Sequence, residues 1–298
     1  MRLEFNDFAG WKAYCEETDK RLFEPVLEYE YYEKGRSEEV IREGMLQAYQ
    51  VMKDAIRTGL EEDMSSNSGM ISNGAKKVMS HPVSVLSPDF QKLVSRALAA
   101  KEVNSCMGRV VAAPTAGASG IIPGVMYTLQ DIHGLSDENI VDGLLVSAGV
   151  ALIIERKASL AGAVGGCQAE TGSAAAMASG AIVHCLGGSV DDVFNAVGIT
   201  LQCMLGLVCD PVAGLVEVPC VVRNASAAAI ANSSAQIALA GVGSVIPVDE
   251  CVDAMAEVGE SMETRYKETA LGGLAATVTG QAISKRVLIQ DIEMLPDD

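Results

Sequence analysis

Between Gly206 and Asn224 the chain reads GLVCDPVAGLVEVPCVVRN, with Cys209 directly before Asp210-Pro211 and Cys220 directly after Pro219. Proline has no N–H donor and interrupts regular helix, so both thiols are expected where the backbone turns. A thiol on a turn can be offered to a ligand in a cleft. Cys167 lies 42 residues before Cys209 in a similar setting, Gly165-Gly166-Cys167-Gln168. These three are candidates for a metal site, foremost an iron–sulfur cluster held by thiolates. The competing reading is burial as small hydrophobes, since free cysteine packs that way and no Cys-x-x-Cys pair occurs. Cys15, Cys106, Cys185, Cys203 and Cys251 lie in helical-looking sequence and are expected in the core. His81, His133 and His184 are isolated and read as structural.

A second stretch with chemical content is Ala113–Gly124, APTAGASGIIPG. Glycines, prolines and two hydroxyls leading into an apolar run predict a loop that opens a helix. Its backbone N–H groups over Thr115, Gly117, Ala118, Ser119 and Gly120, with the hydroxyls of Thr115 and Ser119, are suited to an anion. The Lys-Ser/Thr ending of a nucleotide-binding loop is missing, which favours a carboxylate over a phosphate. Plain turn chemistry is the alternative. Glu170 interrupts the small-residue stretch 158–190, and a charge there either reaches a site or pairs structurally. The cluster Arg265-Tyr266-Lys267-Glu268-Thr269, running into Gly272-Gly273, reads as a site loop.

These segments must be positioned by helices. Ser37 caps a helix with Ile41, Met45, Ala48, Met52 and Ile56 on one face, stopping near Gly59. Further helices are expected over 89–107, 137–155, 189–207 and 248–258, with a polar loop at 64–74. No strand pattern alternates with them, and no 20–50-residue repeat is present. The expected fold is mainly α: one helical domain, 1–298, rich in small residues. Within it, 1–60 forms a charged, aromatic N-terminal helical segment and 61–298 the site-bearing core. The N-terminal segment holds Trp11 and five of the seven tyrosines, a composition suited to contact with a partner.

A formal net charge of −17 over 298 residues excludes the basic surface that nucleic acid and anionic membranes require. The acidic N-terminus does not read as a signal peptide. With eight cysteines and no export signal, the expected location is the cytoplasm. Ala225–Val248 carries no charge and is long enough to span a bilayer. Its Ala, Ser, Asn and Gly content reads instead as a buried helix of a water-soluble core.

Taken together, four motifs resemble the α subunit of the iron–sulfur-dependent L-serine dehydratase (L-serine ammonia-lyase) family. They are Pro114–Gly120, Gly166-Cys-Gln-Ala-Glu170, Leu207–Val221 and Tyr266-Lys-Glu-Thr269, within a match over roughly 40–285. The third is long and specific. One departure stands out. Ser68-Gly69-Met70-Ile71-Ser72-Asn73-Gly74-Ala75 replaces a pattern nearer Ser/Thr-Gly-Leu-Thr-Gly-Gly-Asp-Ala, which bears on how this loop meets substrate and on which amino acid is preferred.

The resemblance implies a 4Fe–4S cluster on Cys167, Cys209 and Cys220, bound at loops between helices, with one iron open as a Lewis acid. It implies dehydration of L-serine to aminoacrylate and then pyruvate and ammonia, without pyridoxal phosphate, in amino-acid catabolism and gluconeogenesis. Ser68, Gly69 and the 115–120 loop are the implied substrate contacts, and Glu170 and Lys267 the catalytic candidates. The chain starts where the family's cluster domain starts, as in two-subunit members, so a separate β subunit is the expected partner in a heterodimer. The alternatives are a related lyase acting on cysteine or another hydroxy- or thio-amino acid, and a non-catalytic helical scaffold or membrane protein.

Overall fold

The computed structural model describes residues 6–293, and thirteen helices carry the fold within them. Among the described residues there is no strand, only two isolated bridges, Ser65 with Ser72 and Cys209 with Lys267. The long helices begin where local chemistry predicts. Ser37, Ser136 and Ser189 each accept a backbone N–H of the first turn, opening α3 (Glu38–Glu61), α7 (Asp137–Lys157) and α10 (Val190–Met204). Acidic residues follow each cap and favour the positive helix start.

At the centre lies α9 (Ser173–Cys185), buried from Ser173 through Val183 and packed by α6 (Ile121–His133), α7, α10 and α11 (Cys220–Leu239). Its sequence, SAAAMASGAIV, supplies almost no bulk, so four helices can approach it closely. A second layer forms where α5 (Pro88–Ser105) lies between α3, α6 and α11. Gly59 belongs to this layer: α3 continues past it to Glu61, and a Cβ there would sit 2.4 Å from the Ala99 carbonyl oxygen. The residue expected to stop the helix instead permits a close helix crossing.

The N-terminal segment is not a free contact arm. Phe8 and Trp11 of α1 (Phe8–Thr18) are fully buried, and both pack on Phe194 of α10, with ring centroids 5.0 and 5.6 Å apart. Tyr49 is buried as well, and it donates to Gln130 at 2.7 Å. Among the described residues of this segment, Tyr31 and Tyr32 of α2 (Phe23–Lys34) are the ones that keep large exposed rings. These aromatics serve the chain's own core.

Two further expectations need correction. Cys203 is exposed rather than core, and Cys106 and Cys185 are half-buried. The uncharged stretch 225–248 is not one helix: α11 ends at Leu239, turns follow, and α12 (Val248–Ser261) starts at the segment's end. Among the described residues no helix is long and apolar enough to cross a membrane. The 189–207 and 89–107 expectations overrun their helices by only a few residues.

Candidate functional site: three thiols around a buried carboxylate

Cys167 ends the tight turn after α8 (Gly162–Gly165) and is followed by a single π-helical turn, Gln168–Gly172, that runs into α9. Gly166 makes the bend possible, with φ +75, a conformation that side chains disfavour. Gln168 then fixes the turn from three directions. Its amide donates to Leu207 O at 2.9 Å, its Oε1 accepts from Gly206 N–H at 2.9 Å, and its Nε2 donates to Met255 O at 2.9 Å. The loop carrying Cys209 is thereby held against the loop carrying Cys167.

Cys209 is pinned on its other side. Its N–H donates to Tyr266 O at 2.8 Å, and its carbonyl accepts from Glu268 N–H at 2.9 Å. Asp210 next to it accepts from Leu274 N–H at 2.7 Å and pairs with Arg223 at 2.9 Å, while Arg223 also donates to Val208 O at 2.8 Å. Cys220 is the first residue of α11, immediately after Pro219. So each cysteine does stand at a turn: Cys167 follows α8, while Cys209 lies within the connection from α10 to α11 and Cys220 at its end. All three thiols are buried.

Cys167 and Cys209 are in hydrogen-bond contact, and Cys167 Sγ also lies 2.9 Å from the Thr171 hydroxyl. The Cys209 thiol donating to Cys167 favours thiolate at Cys167, which falls to about 7, and raises Cys209 correspondingly. Burial pushes Cys220 up to about 12, with the Cys167 charge adding to it. Among the described residues no three His, Cys, Asp or Glu side chains are close enough to enclose a single metal ion. A cluster asks for something wider, because each thiolate binds a different iron.

Glu170 sits against this group. It is 6 % exposed, and its Oε1 accepts a short hydrogen bond from the Thr115 hydroxyl. Burial raises its carboxyl above the ordinary range, with the Thr115 bond opposing. Two glycines leave room around it. A Cβ on Gly117 would meet Glu170 Oε1 at 2.2 Å, and one on Gly162 would lie 3.2 Å from Cys209 Sγ and 3.5 Å from Glu170 Oε2. Glu170 therefore reaches the site, and the 115–120 loop and Cys209 flank it.

In that loop several donors are already spent. Ala118 N–H goes to Thr115 Oγ1, Ser119 N–H to Ala116 O, and Gly120 N–H to Asn224 Oδ1 at 2.8 Å. Gly120 thus has no N–H to offer an anion, contrary to expectation, because Asn224 takes it. Among the described residues the Ser119 hydroxyl is buried with no partner. Ser68 is also placed differently from expectation: its hydroxyl donates to Glu217 Oε2 at 2.6 Å, alongside Ser66 at 2.7 Å. Gly69, at φ +72, forms the bend of that loop. Lys267 pairs with Cys209 through its backbone and lines a crevice of about 160 Å³ with Lys157, Met255 and Glu260, and its neighbour Glu268 faces Gly162.

Three site residues escaped the sequence. Asn224, fully buried, donates from Nδ2 to Gly117 O at 2.8 Å and to Cys220 O at 2.9 Å, joining the 115–120 loop to the start of α11. Glu217 receives the two serines just described. Lys101, fully buried on α5, donates to Val216 O at 2.7 Å, and burial pulls it down to about 8. Only one signal was available for them: charged or amide groups within otherwise apolar stretches. A cavity of about 700 Å³ between α2, α3 and α7 is lined mainly by apolar side chains, contains no thiol and reaches the 111–114 loop.

A helical domain that brings three thiols from two interhelical connections to a buried carboxylate is organised as a catalytic domain. The chain belongs to the serine dehydratase alpha-chain family, whose model matches residues 17–275. It is 42% identical over 277 residues to an L-serine dehydratase alpha chain of Peptoniphilus asaccharolyticus, covering 92% of this chain and 95% of that one. A probable L-serine dehydratase alpha chain of Bacillus subtilis is 44% identical over 240 residues, 80% of each chain. An L-serine dehydratase of Streptomyces coelicolor is 39% identical over 251 residues, which are 82% of this chain and 55% of that protein.

Proposed function

We propose that this chain is the cluster-bearing subunit of an L-serine dehydratase, converting L-serine to aminoacrylate and hence to pyruvate and ammonia. The observation that carries the reading is the convergence of Cys167, Cys209 and Cys220 on Glu170 and the 115–120 loop. Three buried thiols are reluctant to ionise together unless a cation joins them, and thiolates from two facing connections suit a 4Fe–4S cluster. The cradle left by Gly117 and Gly162, with the orphaned Ser119 hydroxyl, supports a site built for an occupant. When bound, the cluster supplies a Lewis-acidic iron free of protein ligands for the β-hydroxyl of serine.

The chain's own groups do the rest. The substrate carboxylate is held by the Ser119 hydroxyl and by the amides of Ala116 and Gly117, for which no acceptor is recorded among the described residues. Glu170 takes the α-proton on Oε2. Its Oε1 is occupied by Thr115, so Oε2 is the oxygen left facing Gly162 and Cys209. A carboxylate raised by burial is better matched to this task than an ordinary one. Glu170, Gly117 and Ser119 are buried, which limits bulk water at the reacting groups, while the exposed Ala116 marks the open side of the loop.

The relatives' alpha-chain names support a separate β subunit as partner. The free state of all eight cysteines suits a reducing compartment, and we place the protein in the cytoplasm. The test is anaerobic reconstitution with iron and sulfide, followed by a visible spectrum and a pyruvate assay with and without the partner subunit. Cys167→Ala, Cys209→Ala and Cys220→Ala should each abolish the thiolate-to-iron absorption. A full cluster in Cys209→Ala would end the assignment, and sulfide release from cysteine exceeding pyruvate from serine would move the substrate to a thio-amino acid.

A further inference from the structure

Lys101 is 0 % exposed, a rare state for lysine, which almost never goes fully inside without a partner. No carboxylate makes an ion pair with it among the described residues. Its ammonium instead donates to three neutral acceptors: Asn104 Oδ1 at 2.6 Å, Val216 O at 2.7 Å and Ser105 Oγ at 3.4 Å. An ammonium has three N–H donors and no acceptor, so this arrangement satisfies the protonated form completely. The amine is thus held in one place, committed to Asn104 and Ser105 of its own helix and to the Val216 carbonyl across from it.

Its surroundings say what that charge is for. The groups around it that would carry negative charge when ionised are Cys220, Glu170, Glu217 and Cys106. Val216 adjoins Glu217, whose carboxylate collects the Ser66 and Ser68 hydroxyls, and lies four residues before Cys220. The Lys101 stem also backs the other loop, since a Cβ on Gly120 would meet its Cβ at 3.0 Å. One side chain therefore underlies both the loop ending at Cys220 and the loop proposed to hold substrate.

We propose that Lys101 is a positioning residue of the lyase site, tying the Val216–Cys220 end of the cysteine loop to α5 and supplying the fixed positive charge that balances the thiolates and carboxylates gathered beside it. The inference rests on the cluster reading above. A buried charge without a counter-ion costs stability in the empty chain, and that cost is recovered when anions fill the site.

The experiment compares Lys101→Gln, Lys101→Met and Asn104→Asp in the reconstituted complex with its partner subunit, reading the cluster's reduction potential, iron retention against a chelator, and the KM and kcat for L-serine. Gln keeps one donor for Val216 O and Met keeps none, while both lose the charge. Asn104→Asp leaves Lys101 in place and sets a carboxylate on its ammonium, which guards against variants that do not fold. Taking positive charge from beside a cluster disfavours adding an electron, so all three variants should shift the potential to more negative values. The KM should rise about tenfold with kcat changed less, as loss of ~1.4 kcal/mol of binding would give. Wild-type potential and KM in a folded, iron-loaded Lys101→Gln or Asn104→Asp would overturn the proposal and leave Lys101 a hydrogen-bond anchor. A wild-type chain that takes up no iron would instead end the cluster reading, and this inference with it.

Discussion

Replacing Asn224 by alanine tests how the two loops of the site are joined. The side chain makes three hydrogen bonds: to Gly120 N–H and Gly117 O at 2.8 Å each, and to Cys220 O at 2.9 Å. Gly120 and Gly117 are buried, so alanine leaves a donor and an acceptor without water to replace the lost bonds. Each orphaned buried group costs roughly 1–3 kcal/mol, which puts the loss at about 2–6 kcal/mol. The Cys220 carbonyl adds little, because it lies in the first turn of α11 and keeps a helical partner. Against a total stability of roughly 5–15 kcal/mol, that is a severe single change. Urea denaturation of the iron-free chain measures it, with an unchanged slope showing that the same surface is exposed. Because the clamp spans both loops, serine turnover should fall further than stability alone explains, through displacement of the Gly117 amide. A loss under about 1 kcal/mol with normal KM would refute the clamp.

Glu170→Gln should lower kcat about 10²–10⁴-fold, the range for a lost general base, while the Thr115 hydroxyl still finds an oxygen. The folded-state carboxyl lies above its unfolded value of 4.5, so its stabilising contribution is full below that value and is lost as pH rises through the folded one. The wild-type kcat/KM should therefore show an acid limb above the ordinary carboxylate range, and at pH 8 the Gln variant should resist urea at least as well as wild type. A marked loss of stability at pH 8, with activity retained, would make Glu170 structural. Ser119→Ala should reduce kcat/KM roughly 10- to 100-fold, the effect of losing one charge-assisted hydrogen bond, without lowering chain stability, because the hydroxyl has no partner among the described residues. Normal kinetics would return Ser119 to the core.

Much of the architecture follows from local rules. Ser37, Ser136 and Ser189 cap their helices through their own neighbours, and the apolar spacing from Ile41 to Ile56 sets a buried face with no help from distant residues. Cys209 and Cys220 are marked by their prolines, and Cys167 by its glycines, because turn chemistry acts over a few residues. The positions those thiols share depend on contacts far apart in the chain, such as Gln168 with Met255 and Cys209 with Tyr266.

What only the tertiary structure decided are the roles of polar groups inside apolar helices. Asn224 carries no local mark of its role, because its partner Gly120 lies 104 residues away. Lys101 sits in ordinary helical sequence, and its meaning comes from Val216, 115 residues distant. Gly59 resembled a stop until Ala99 filled the space beside it, and Trp11 resembled a contact residue until Phe194 covered it. Lys267 and Glu268 are neighbours in one polar cluster, and only the fold shows that the first pairs with Cys209 and that the second faces Gly162. Hydrogen bonding and burial are satisfied by whatever the fold brings near, and one dimension of sequence carries no record of that proximity.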